Sequence, residues 1–188
     1  MPEPTFPLVP TTQRAIVQDV DGKPTLVQDA IVPLLLPNTI LIKTVAVALN
    51  PSDYKMGLKF PSNGAVIGMD FAGEIVQMDP EAAENRPDLH IGNRVCGAVH
   101  GSNPAGRDNG SFAEYVRATA GILIKVPEEM ALEKAATLGV ALTTCCLALW
   151  DSLGITSSPE KPAEKPYDVL VYGGSTSSGA MAIQLLKL

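Results

Sequence analysis

Asp168-Val-Leu-Val-Tyr-Gly-Gly-Ser-Thr-Ser-Ser-Gly179 reads as a buried strand entering a glycine-rich turn, and Ala180-Met-Ala-Ile-Gln-Leu-Leu-Lys-Leu188 as the helix behind it. A strand, turn and helix in that order can hold a pyrophosphate, because backbone N–H groups and a helix N-terminus converge on it. The spacing Gly173-Gly174-Ser175-Thr176-Ser177-Ser178-Gly179 departs from the common three-glycine fingerprint. A tight turn without a ligand is therefore the plain alternative, but an apolar strand before and a helix after are the context a phosphate site requires. The four hydroxyls of Ser175, Thr176, Ser177 and Ser178 could add hydrogen bonds to phosphate oxygens.

Upstream of this unit the chain is rich in β signals. Gln13–Asp19 and Thr25–Asp29 read as two strands joined by a turn at Asp21-Gly22. Thr39–Ala48 is a long β-rich run that ends at Asn50-Pro51, and Ser52–Met56 reads as a short helical turn capped by Ser52. Phe71–Met78, Arg94–Val99, Phe112–Arg117 and Gly121–Val126 read as further short strands, which together predict a compact antiparallel barrel or sandwich. Asp79–Leu89 is polar and reads as an exposed excursion. Ala131–Leu153 is Ala- and Leu-rich and predicts one long buried helix, and Ser157–Pro166 a polar loop. The expected organisation is a lead-in over 1–12, a β-rich domain with its helix over 13–153, a loop over 154–166, and an incomplete α/β unit over 167–188.

Composition narrows the function classes. With 188 residues the chain holds one sizeable domain and part of another. A net charge of −6 argues against nucleic acid or an anionic membrane as partner, since both call for clustered Lys and Arg. The longest apolar run, Ile31–Leu36, is interrupted by Pro33 and too short to span a bilayer, and the N-terminus lacks a secretory pattern, so the cytoplasm is the expected compartment. Cys96, Cys145 and Cys146 are an odd set with no disulfide or zinc spacing, and the adjacent pair reads as small buried side chains.

Three segments carry candidate chemistry. In Asn50-Pro51-Ser52-Asp53-Tyr54-Lys55, Asp53 and Lys55 are expected at the rim of a cleft, with Lys55 a cation for an anionic cofactor or substrate, against the plainer reading of a salt-bridged surface turn. Gly68-Met69-Asp70-Phe71-Ala72-Gly73-Glu74-Ile75, then Gly92-Asn93-Arg94-Val95 and Gly110-Ser111-Phe112-Ala113-Glu114-Tyr115, precede the glycine turn in a specific order.

On these motifs the chain resembles the N-terminal half of the medium-chain dehydrogenases/reductases, on the quinone-oxidoreductase and enoyl-reductase side. Within them, Asn-Pro-Ser-Asp-x-Lys-Met and Val-Tyr-Gly-Gly-Ser-Thr resemble the fungal trans-acting enoyl reductases of the lovastatin type that serve polyketide synthases. The resemblance implies a mostly β GroES-like catalytic domain followed by the start of an α/β Rossmann domain. It implies NADPH as cofactor and an α,β-unsaturated acyl thioester, carried by a partner polyketide synthase's acyl-carrier domain, as substrate. A zinc-free quinone oxidoreductase is the second reading, and a non-redox binding protein using the same cleft the third.

By similarity, Ser52 and Lys55 would lie near the cofactor, Thr143 or Thr144 would contact the nicotinamide region, and Gly173–Gly179 would cradle the pyrophosphate. The plain reading of both threonines is a hydroxyl bonded back within its own helix. Tyr54 and Lys55 are candidate proton donors beside backbone N–H groups and water, and the choice stays open. Where zinc-dependent relatives carry Cys and His, this chain has Asn50 and Met69, and His90 and His100 are expected in solvent, so no metal is expected.

A Rossmann domain needs on the order of 100 residues more. The expectation is that the chain is the first part of a complete reductase, and that residues 1–188 alone bind NADPH poorly and do not reduce an enoyl thioester. A naturally short protein, or a sheet completed by another chain, are the alternatives.

Overall fold

The computed structural model describes residues 8–158, 160–165 and 167–188. Most of the expected lead-in, and positions 159 and 166 of the expected loop, lie outside the described residues. The chain divides into two compact units, one up to Gly139 and one over Val140–Leu188.

In the first unit, β1 (Thr12–Gln18) and β2 (Pro24–Ile31) form an antiparallel hairpin whose turn contains Gly22 at φ +76°. A five-stranded antiparallel sheet runs in the order β6, β3, β4, β5, β7: Tyr115–Thr119, Thr39–Ala48, Asp70–Met78, Arg94–Ala98 and Ile124–Lys125. The hairpin is stitched to the segment before β4, with the Gln18 N–H donating to the Ala65 carbonyl (2.9 Å) and the Ile67 N–H to the Ile16 carbonyl (2.9 Å). Ile40, Ile42, Phe71, Ile75, Leu89, Val95 and Val116 fill the main core. β3 is buried without interruption over Thr39–Ile42, flanked by β6 and β4, and alternates once β6 pairing ends after Lys43.

β3 runs out at Ala48, and α1 (Pro51–Lys59) begins three residues later. Its N-cap is Asn50, two residues before the expected Ser52, because Pro51 supplies the first-turn φ and has no N–H to satisfy. The Asp53 carboxylate closes the turn by accepting from the Asn50 N–H at 2.7 Å. The middle of α1 lies directly against the hairpin turn: a Cβ on Gly57 would strike the Gly22 carbonyl oxygen, and one on Gly22 the Gly57 carbonyl oxygen. Two facing glycines thus let one backbone rest on the other.

Asp79–Leu89 is mostly exposed, as expected, but holds a short helix, α2 (Pro80–Asn85), and two buried anchors. Asp79 caps α2 by accepting from the Glu81 N–H, and Ala82 and Leu89 enter the core. Arg86 fastens it further, donating to the Ala120 and Leu123 carbonyls and to Asp88, all at 2.8 Å. Gly121–Val126 is a 3-10 turn (Ala120–Ile122) followed by the two-residue β7 rather than a full strand, since only Ile124 and Lys125 pair with β5. Phe112–Arg117 joins the sheet only from Tyr115, because Phe112 and Ala113 bond to the hairpin side instead.

The long helix expected over Ala131–Leu153 is three pieces: α3 (Leu132–Ala135), α4 (Gly139–Cys146) and a π-helix (Leu147–Ser152), with turns at Ala136–Leu138. Gly139, the first residue after the break, passes so close to the Gly97 carbonyl that no side chain fits. Leu132–Ser152 is long and apolar enough to cross a membrane by length and composition, at mean hydropathy 1.4. α3 nevertheless packs Leu132, Ala135 and Ala136 against Ala72 and Cys96 of the sheet.

In the second unit, the residues expected as strand Val169–Tyr172 run without pairing. A strand is a relation between two segments, and among the described residues none lies alongside to accept or donate. Leu170 and Tyr172 are consequently 93% and 99% exposed, while Val169 and Val171 are half-buried. α5 (Ser177–Leu185) follows as expected. Cys145 is buried, its thiol donating to the Ser178 carbonyl, whereas Cys146 is exposed because neighbouring helix positions face different ways.

Replacing Gly57 by Ala pushes a methyl into the backbone of the hairpin turn. We expect Gly57→Ala to lower unfolding stability by about 2–3 kcal/mol in denaturant titration, within the usual range for strained backbone contacts; an unchanged midpoint would mean that the two elements separate freely.

Candidate functional site

Two groups of candidate residues emerge, one in each unit. In the first, Ser52, Tyr54 and Lys55 share α1 and are positioned by a polar cluster under its N-terminus. Asp70, 2% exposed, sits at the start of β4, where it pairs opposite Ala48 of β3 and Ala98 of β5. The Asn50 side-chain amide donates to its Oδ2 at 2.9 Å. Its Oδ1 lies 2.7 Å from where a Cβ on Gly139 would stand, so the glycine leaves room for the carboxylate.

Asp53, expected at an exposed rim, is buried at 8% exposure and makes no ion pair among the described residues. Its Oδ2 is held by the Asn50 N–H, and its Oδ1 has no hydrogen-bond partner. Burial first, and the nearby charge of Asp70 after it, raise the Asp53 carboxyl above the ordinary carboxylate range. Burial and the same charge push the Cys96 thiol up to about 11. The spacing Asn-x-x-Asp carried this signal, being that of a capping box, which turns the acid inward onto its own helix.

Ser52 is half-buried, its hydroxyl donating to the Met69 sulfur at 3.1 Å. Tyr54 and Lys55 are exposed, with the Lys55 ammonium 5.9 Å from the centre of the Tyr54 ring. Asn50 and Met69 thus direct an amide toward Asp70 and a thioether toward Ser52. Neither is the thiolate or imidazole a zinc site favours, and no cluster of three or more His, Cys, Asp or Glu exists among the described residues. His90 and His100 are exposed.

In the second unit, Thr143 and Thr144 are exposed on α4. The glycine turn is closed by Thr176, which donates to the Gly173 carbonyl at 2.8 Å and accepts from the Gly179 N–H at 3.1 Å, capping α5. Gly173 takes φ +81° with nothing nearer its Cβ position than Thr176 at 3.7 Å, and Gly179 passes against the Gly173 carbonyl where no side chain fits. Ser175 and Ser177 are exposed and Ser178 half-buried at the mouth of this turn. The first N–H groups of a helix have no intrahelical acceptors, so the turn presents donors beside open space.

The raised Asp53 carboxyl has a sign that can be measured. A folded-state value above the unfolded one contributes stability that is full below the unfolded value and is lost as pH rises through the folded value. Asp53→Asn keeps the acceptor for the Asn50 N–H and removes the titration. We expect the stability of Asp53→Asn relative to the parent to improve as pH rises from about 4 to about 7; a difference that stays flat with pH in thermal melts would contradict the burial of this acid.

Comparison with known proteins places this geometry. Residues 36–128 match the alcohol dehydrogenase GroES-like domain. A trans-enoyl reductase of Penicillium oxalicum is 47% identical over 182 residues, covering 96% of this chain and 48% of that protein. The chain spans about half the length of the curated relatives it matches. Among solved structures, a quinone oxidoreductase from Coxiella burnetii superposes with TM-score 0.64 at 26% identity, over 94% of this chain and 52% of that one. A mycobacterial protein solved with NADPH superposes with TM-score 0.59 at 24% identity, over 78% of this chain and 42% of that one. The chain thus carries an alcohol dehydrogenase GroES-like β domain leading into the first elements of an α/β unit, and it is similar to the first half of fungal trans-enoyl reductases.

Proposed function

We propose that this chain supplies the catalytic lobe and the entry to the cofactor lobe of an NADPH-dependent trans-acting enoyl reductase, which reduces an α,β-unsaturated acyl thioester carried by a polyketide synthase. The observation that carries the reading is the 47% identity to a trans-enoyl reductase over nearly the whole chain, on a fold whose glycine turn is open for a phosphate. The cofactor supplies a hydride when bound. The residues of this chain that fit it are Gly173, Gly174 and Gly179, whose lack of side chains lets backbone approach the pyrophosphate, with Ser175, Ser177 and Ser178 as further donors. Thr176 supports them as the cap that keeps the turn closed.

Ser52 and Lys55 serve the same cofactor from α1, Lys55 as an exposed cation for an anionic group and Ser52 as a hydroxyl held in place by Met69. Thr143 or Thr144 contacts the nicotinamide region. Reduction of an enoyl thioester calls for a donor to the developing enolate oxygen and a proton for the α-carbon. Tyr54 and Lys55, exposed side by side, are the side chains placed to provide them. Zinc has no part in this scheme, and a cytosolic enzyme acting on a carrier-bound substrate fits the composition.

The test is turnover by the protein encoded in the complete reading frame that contains this chain. We expect NADPH consumption with a crotonyl-type pantetheine thioester and little with quinones; the reverse preference would establish the quinone-reductase reading instead. Lys55→Ala should lower kcat/KM for the thioester by on the order of tenfold or more, the loss expected when a positioned charged donor is removed. An unaffected kcat/KM would remove Lys55 from the site.

A further inference from the structure

Asparagine precedes glycine twice in the first unit, at Asn63-Gly64 and Asn109-Gly110. That pair favours a spontaneous backbone reaction, because glycine has no Cβ to keep its nitrogen from the neighbouring amide. The glycine nitrogen attacks the asparagine Cγ and loses its proton. The new N–C bond closes a succinimide ring, and the Cγ–Nδ2 bond breaks to release ammonia. Water, the only co-reactant, then opens the ring at either carbonyl. One product is an ordinary aspartyl residue; the other is an isoaspartyl residue, whose main chain runs through Cβ and gains a methylene. As dipeptides the two sites are equivalent, and the fold separates them.

Asn109 is locked. Its Nδ2 donates to the Arg117 carbonyl at 2.8 Å, and its Oδ1 accepts from the Arg117 N–H at 2.9 Å. Both bonds must break before its Cγ can turn toward Gly110. Gly110 is itself buried, packed so closely that a Cβ would strike the Val66 and Ile67 carbonyl oxygens, so the peptide that must swing is wedged in place. Asn63 has neither restraint. It is exposed, its side chain makes no hydrogen bond among the described residues, and nothing lies within 4 Å of where a Cβ on Gly64 would stand. Only the bond from the Gly64 N–H to the Gln18 carbonyl, at 2.8 Å, holds the attacking nitrogen back.

The turn that holds Asn63 is also a joint. Ser62–Ala65 closes on the Ala65 N–H donating to the Ser62 carbonyl at 2.9 Å, with Gly64 at φ +81°. It ties the chain leaving α1 to β1 through Gln18: the Ser62 N–H donates to Gln18 Oε1 at 2.6 Å, and the Gln18 N–H to the Ala65 carbonyl at 2.9 Å. A methylene added to the main chain at position 63 falls between the Ser62 and Gly64 bonds to Gln18 and puts them out of register. A carboxylate on an unaltered backbone leaves every one of these bonds in reach. We infer that Asn63 is a site of spontaneous deamidation and isomerisation, that the fold protects Asn109, and that the isoaspartyl product loosens the joint between the hairpin and the end of α1.

The test is incubation of the 188-residue chain at neutral and mildly alkaline pH, folded and in guanidinium chloride, followed by peptide mapping with mass spectrometry. In denaturant both peptides should gain the mass of an amide-to-acid change. In the folded chain position 63 should convert on the order of tenfold faster than position 109, the scale set by one or two hydrogen bonds. The rate should rise with pH, because the attacking nitrogen must lose its proton, and Asn63→Gln should suppress the change at 63 alone. Equal rates at the two positions in the folded chain, faster conversion of Asn109, or conversion of neither would overturn the assignment. The separated isoaspartyl form should melt below the parent, whereas Asn63→Asp should melt with it. An isoaspartyl form that melts like the parent, or an Asn63→Asp variant that melts as low as the isoaspartyl form, would overturn the loosening of the joint.

Discussion

The hydrogen bond from the Asn50 amide to Asp70 ties the end of one central strand to the helix that follows its neighbour. A carboxylate that is almost wholly buried costs several kcal/mol unless donors surround it. A side chain from the β3-to-α1 turn supplies one of those donors, so moving the turn would remove it. α1 is then held from three directions: by Asn50 at its start, by Asp53 folded back on the Asn50 N–H, and by the Gly22–Gly57 contact at its middle. Ser52, Tyr54 and Lys55 inherit their positions from those constraints. Burial first, and the charge of this acid after it, raise the Asp53 carboxyl and the Cys96 thiol.

Asn50 and Met69 are both used within the first unit, Asn50 donating to Asp70 and Met69 accepting from Ser52. These two side-chain contacts connect the turn before α1 and the first turn of that helix to the segment that opens β4.

Several elements were legible in the chain because their signals are local. The Asp21-Gly22 turn between alternating runs is a hairpin, and Thr39–Ala48 is a strand, because periodicity and turn chemistry act over a few residues. The glycine turn before α5 was equally readable. Other readings failed where a distant partner decided the outcome. Asp79–Leu89 read as an exposed excursion, and most of it is, yet Arg86 finds carbonyls more than thirty residues away, and Leu89 finds the core. Ala131–Leu153 had the composition of one helix, yet it divides at 136–138, just before Gly139 meets the Gly97 carbonyl of the distant β5. Val169–Tyr172 had the composition of a strand, but among the described residues no segment pairs with it.

The sequence by itself determined which chemical groups are available and in what order: a glycine turn ahead of a helix, a lysine and a serine just past a β-strand, and an amide and a thioether at Asn50 and Met69. Those properties reside in residue identity and short spacing, which no folding step alters. Only the tertiary structure decided that Asp53 is buried rather than at a rim, and that Asp70 anchors the first helix. Burial and electrostatic environment are set by residues that are far apart in the chain and meet only when the hairpin, the sheet and α1 close on one another.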